Sequence, residues 1–113
     1  MQDLLAQPLR PDAVFVANHL MTIGALQAID QAGLVIPRDI AIVSFDDMSW
    51  STLLRPPLSV VAQPAYDLGV ESARLLLSRL AGYTGAARTV TLSPTLVVRA
   101  SSLPTRKVAP RRR

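Results

Sequence analysis

The chain has 113 residues, half of them hydrophobic and 4% aromatic, which suits one modest domain with an aliphatic α/β core better than a disordered chain. It has no cysteine, so disulfides and thiolate metal sites are excluded, and the composition fits a reducing compartment. The formal net charge is +4, but Arg106, Lys107, Arg111, Arg112 and Arg113 hold five of the twelve basic residues. The body is close to neutral and predicts no basic face for nucleic acid.

Met1-Gln2-Asp3-Leu4-Leu5 lacks the basic-then-apolar order of a signal peptide. No apolar run approaches the ~18 residues of a membrane span. A cytoplasmic chain without a membrane partner is the expectation. Residues 1–10 form a lead-in, with Leu4, Leu5 and Leu9 closing a preceding helix. Ala13-Val14-Phe15-Val16-Ala17, after Pro11-Asp12, is a short apolar run and predicts a buried strand. Asn18 ends it and is a good N-cap, because its side-chain oxygen can accept from a free amide one turn on. A helix follows from about Leu20 to Ala32, its apolar side marked by Ile23, Leu26 and Ile29 with Ala25, Ala28 and Ala32 beside them. Gly33 is placed for a left-handed C-cap.

Leu34 to Asp39 then lead into Ile40-Ala41-Ile42-Val43-Ser44-Phe45, a continuous apolar run that predicts a strand covered on both faces. Strand, helix and strand make a βαβ unit. Ligands of open α/β sheets sit beyond the carboxyl ends of the strands, which is where Asp46 and Asp47 stand.

Met48 to Leu54 reads as loop plus a helical turn. Arg55-Pro56-Pro57 imposes extended backbone. Leu58 to Gln63 is a strand or crossing segment, and Pro64 suits the first turn of a helix. That helix spans about Ala65 to Leu80. Tyr66, Val70, Ala73, Leu77 and Leu80 share one side, widened by Leu68, Leu75 and Leu76. After a turn at Gly82–Gly85, Thr89–Leu92 and Thr95–Val98 are strand-like and broken by Ser93-Pro94, which suits an edge strand or a chain crossing between layers. Residues 103–113 are rich in proline and arginine and read as a disordered tail.

Taken singly, the polar residues have ordinary readings. Asn18 caps a helix, Asp46 and Asp47 serve a turn, and Trp50 anchors its loop. Asp46 can instead accept two hydroxyl hydrogen bonds from a polar ligand. His19, Ser44 and Asp46 would make a nucleophilic set only if brought within hydrogen-bond reach, and no nucleophile-elbow pattern is present. One His without Cys gives no metal site, and no glycine-rich phosphate loop occurs. The residues therefore predict no catalytic group, no metal and no cofactor.

The order of the pieces resembles a known family. The pieces are Pro11-Asp12-Ala13-Val14-Phe15-Val16-Ala17-Asn18, Gly33-Leu34-Val35-Ile36-Pro37-Arg38-Asp39-Ile40, Ser44-Phe45-Asp46-Asp47, and Pro56-Pro57-Leu58-Ser59-Val60-Val61-Ala62-Gln63-Pro64 with Leu68-Gly69 in the helix beyond. In this order and spacing they resemble the C-terminal part of LacI/GalR transcriptional regulators, over about residues 11–102. The resemblance implies an α/β fold: a partial Rossmann-like, mostly parallel sheet flanked by helices, and an incomplete periplasmic-binding-protein-like domain. Residues 58–64 and 92–95 become crossovers, and 65–91 resemble the other subdomain. A small polar effector such as a sugar is then held by Asn18 and Asp46, with Trp50 at the cleft mouth. Ile23, Leu26, Leu53 and Leu54 become candidates for a homodimer interface, against the alternative of ordinary core packing. Operator DNA is bound only through a headpiece outside this chain.

Two residues depart from the family pattern: His19 where aspartate is usual, and Ser44 where glycine is usual. A free-standing α/β enzyme using Asp46, Asp47 and His19, or a solute-binding protein for transport, are the competing readings. As a fragment, the chain leaves the 65–80 helix without its usual packing partner, so that its apolar stripe must be buried elsewhere.

Overall fold

The computed structural model describes residues 1–103; the arginine-rich segment from residue 104 lies outside them. A one-turn helix α1 (Gln2–Leu5) leads into β1 (Ala13–Val16), α2 (His19–Gln31), β2 (Ala41–Phe45), β3 (Ser59–Ala62), α3 (Ala65–Leu80) and β4 (Thr95–Val97). A 3₁₀ turn at Ala100–Ser102 closes the set. The strands form one sheet in the order β1-β2-β3-β4. The first two pairings are parallel and the last is antiparallel, so the sheet is mostly parallel.

Both ends of α2 are built from its own sequence. The Asn18 side chain accepts from the Met21 amide at 2.8 Å, satisfying one of the free donors of the first turn. At the other end Gly33 takes φ +67°. The Gly33 amide reaches the Asp30 carbonyl and the Leu34 amide the Ile29 carbonyl, the paired bonds of a Schellman stop. Ala25, Ala28 and Ile29 are buried on the helix, as are Val16, Ile40, Ile42, Leu58 and Val60 on or beside the strands. These side chains form the core.

The expectation of a strand covered on both faces needs correction. Ile42 and Ser44 of β2, and Ile40 just before it, are buried, whereas Ala41, Val43 and Phe45 are half-buried and Phe15 of β1 is 60% exposed. Successive strand side chains point to opposite faces, and helix α2 supplies apolar cover to one of them.

The returning chain is tied down by small hydroxyls. The Ser59 amide donates to Ser101 Oγ at 2.8 Å, and Ser101 Oγ donates to the Ile42 carbonyl at 2.7 Å. Ser59 Oγ also bonds the Arg99 backbone. The expected strand at Thr89–Leu92 does not form; residues 86–94 have no regular structure and are almost wholly exposed. Threonine and valine favour strands only where a neighbour and a half-buried face exist, and that stretch has neither.

Helix α3 has the predicted bounds but not the predicted burial. None of its residues is buried; Tyr66 is 83% and Leu80 74% exposed, and Leu76 and Leu77 also face outward. Its apolar stripe is left uncovered rather than packed elsewhere.

Candidate functional site at the strand ends

Val16 of β1 lies opposite Ser44 of β2. Asn18 and Asp46 each follow by two residues, so they stand at one level beyond the carboxyl ends of neighbouring parallel strands. That edge is where open α/β sheets place ligands. Gln63 follows the end of β3, whose Val61 opposes Phe45.

Asp46 is the one non-glycine residue with positive φ, +76°, among those described. Aspartate enters the left-handed region more readily than most side chains, though at a cost. Three contacts hold it there. Its amide donates to the Val61 carbonyl at 3.0 Å, Gln63 Nε2 donates to Oδ1 at 2.5 Å, and His19 Nδ1 lies 3.6 Å from Oδ2. The side chains of His19 and Asp46 are 41% and 25% exposed, so the carboxylate is accessible while being gripped. Asn18 spends its oxygen on the helix cap, which leaves its NH2 group for other partners.

Asp47 points to different work. Arg99 Nη1 and Nη2 donate to its two oxygens at 2.9 and 2.7 Å, and Nη1 also donates to the Leu58 carbonyl at 2.8 Å. The hydrogen bonds from Arg99 hold the Asp47 carboxyl below its ordinary range and raise the guanidinium in turn. The pair straps the chain returning from β4 to the loop after β2.

Ser44 is 1% exposed. Its hydroxyl lies 2.5 Å from Thr22 Oγ1 and reaches the Phe45 carbonyl at 3.0 Å, while Thr22 Oγ1 donates to the Asn18 carbonyl. The Ser44 side chain is therefore received by α2 through a hydroxyl pair. His19 and Asp46 do meet, but Ser44 turns into the core instead of joining them.

Trp50 is half-buried and packs against the core. Of the four interface candidates, Leu26 and Leu54 also pack on the core, whereas Ile23 is 41% and Leu53 72% exposed. An open groove of about 660 Å³ runs between Met1–Leu4, β1 and α2. Asn18, His19, Asp46 and Trp50 do not line it. No group of three His, Cys, Asp or Glu side chains gathers among the described residues, and no described helix is long and apolar enough to cross a membrane. The amino-acid sequence alone assigns no role to Gln63 or Arg99. Gln63 is signalled only by its place at a strand end, and Arg99 by nothing local.

The periplasmic binding protein-like domain family matches residues 1–102. The ribose operon repressor of Haemophilus influenzae is 43% identical over 101 residues, covering 89% of this chain and 30% of that protein. The lactose operon repressor of Rhizobium radiobacter is also 43% identical, covering 89% of this chain and 88% of that one. The crystal structure of a LacI family transcriptional regulator from Enterococcus faecium with bound ribose superposes with a TM-score of 0.77 at 29% identity, covering 91% of this chain and 38% of that one. The chain thus spans about 30% of the length of the ribose operon repressor. It belongs to the periplasmic binding protein-like domain family and is similar to LacI-family transcriptional regulators.

Proposed function

We propose that the chain is the effector-sensing and dimerisation part of a LacI-type transcriptional regulator, acting in the cytoplasm. The effector is a sugar or related polar metabolite, and operator DNA is reached only through a headpiece supplied outside these residues. The observation that carries this reading is Asp46: an accessible carboxylate held in left-handed backbone at the strand ends, gripped by Gln63 and faced by His19. A carboxylate fixed in this way accepts hydroxyl hydrogen bonds in a set direction, and charge-assisted bonds are the stronger kind. Asn18 offers a donor at the same level. Trp50 lies on the loop that follows Asp47 and packs against the core. The ribose bound to the Enterococcus faecium regulator supports a sugar as the first ligand to test.

In this reading the chain binds that ligand without changing it covalently, which the burial of the Ser44 hydroxyl against Thr22 supports. Dimerisation uses the outward side of α2 at Ile23 and the loop at Leu53, with Leu26 and Leu54 behind them as support. One wall of a cleft binds weakly, in the millimolar range or above. Titrating the chain with ribose should shift the amide resonances of Asn18, Asp46 and Gln63, and Asp46→Ala should abolish the shifts. Ribose shifts that survive in Asp46→Ala, or that centre on the α1–β1–α2 groove, would remove this reading.

A further inference from the structure

The chain contains a single histidine, and it sits beside the carboxylate on which the site depends. His19 is the first residue of α2, so its backbone is held by the capped first turn while its side chain stays 41% exposed. Asp46 has one oxygen committed to Gln63 and the other 3.6 Å from His19 Nδ1. Among the described residues Asp46 is the one carboxylate within 4.0 Å of this imidazole. Its sequence neighbour Asp47 is bound on both oxygens by Arg99. Asp12 and Asp39 stand at the opposite end of the sheet, where Asp39 pairs with Arg38, and Asp30 lies at the far end of α2.

We infer that His19 is a positioning residue for Asp46: its protonated form fixes the second carboxylate oxygen, so the acceptor is held on both sides when the imidazole is charged and on one side when it is neutral. The chemistry is that of imidazole, whose charge changes between about pH 5 and 8. Both side chains are partly exposed, so water weakens the attraction, which biases the carboxylate without locking it. The sign follows. At low pH the imidazolium attracts Oδ2; as pH rises the attraction fades and Asp46 relies on Gln63 and its own amide bond. Where Asp46 contacts an effector, as proposed above, the grip on that effector loosens with rising pH. This consequence rests on the preceding reading, whereas the pairing itself is testable without a ligand.

The test is NMR of the whole chain between about pH 5 and 8. The imidazole Cε1–H signal is assigned without ambiguity, since it is the one histidine. The backbone amide of Asp46 and the side-chain amide of Gln63 should move along the same titration curve. In His19→Asn both should lose that movement. In His19→Lys, which keeps a cation at every pH used, they should stay near their wild-type low-pH positions. Both variants are at a half-exposed side chain and leave the Asn18 cap intact. Raising salt should shrink the movement in the wild type, as screening of an exposed pair requires. Asp46 and Gln63 signals that ignore the imidazole titration, or that move equally in His19→Asn, would overturn the inference. Ribose shifts that fail to appear while the coupled titration is present would count against the sugar reading alone.

Discussion

Adjacent carboxylates in this chain have unlike employment, and the difference is set by what each one meets. Asp47 and Arg99 share two hydrogen bonds at partly buried positions, and Arg99 also satisfies the Leu58 carbonyl. Asp47→Asn should destabilise the chain by about 1 kcal/mol, the upper end for partly exposed pairs. Arg99→Ala should cost somewhat more, because it also strands a backbone carbonyl. The pH dependence has a definite sign. The folded carboxyl is held below its ordinary value by Arg99, so the stabilisation is complete above about pH 4 and disappears as pH falls through the lowered folded value. Urea melts of wild type and Asp47→Asn at several pH values should therefore converge at the acid end. Thr22→Val is a second test at this scale: it removes the partner of a buried hydroxyl and should cost about 1 kcal/mol, read from the same melts.

At the scale of an element, α2 is specified by residues at its two ends. Asn18→Ala removes the side-chain acceptor for the Met21 amide and should cost about 1 kcal/mol, while Asn18→Ser should retain most of it. Gly33→Ala meets no steric obstacle at its Cβ but must hold φ +67°, costing about 1–2 kcal/mol. Thermal unfolding followed by circular dichroism checks both. The strand-like stretch at Thr89–Leu92 shows the limit of the same logic. A helix carries its hydrogen bonds within itself, so capping defines α2, and periodicity with Pro64 at the start defines α3. A strand needs a neighbour, and Thr89–Leu92 has none.

For the molecule as a whole, the telling feature is an amphipathic helix with nothing on its apolar side. Tyr66, Leu76, Leu77 and Leu80 remain open to water, and patches of this kind on a soluble chain mark surfaces made to be covered. The isolated chain should self-associate with rising concentration and bind hydrophobic dye. The double substitution Leu77→Lys with Leu80→Lys should reduce both while changing stability by no more than about 0.5 kcal/mol, since neither side chain contributes to the core. Light scattering after gel filtration measures the first effect and a denaturant melt the second. A loss of several kcal/mol in the double variant would mean that α3 packs on the body after all. Ile42→Ala is the contrasting case: it empties a fully buried position beneath α2 and should cost about 2–5 kcal/mol.

What the sequence determined alone was whatever depends on neighbours along the chain: the bounds of α3, both caps of α2, the βαβ order, and the arrival of Asn18 and Asp46 at one sheet edge. Periodicity and capping act over short separations, and a βαβ unit brings the carboxyl ends of its two parallel strands to one edge whatever the side chains between them, so those features could be read directly. Only the tertiary structure decided which face of β2 lacks cover, that Ser44 turns inward to Thr22, that Asp47 belongs to Arg99, and that Gln63 and His19 attend Asp46. Each of these depends on side chains at least seventeen residues apart in sequence or on an absent layer, and no local pattern encodes a contact whose partner is that distant.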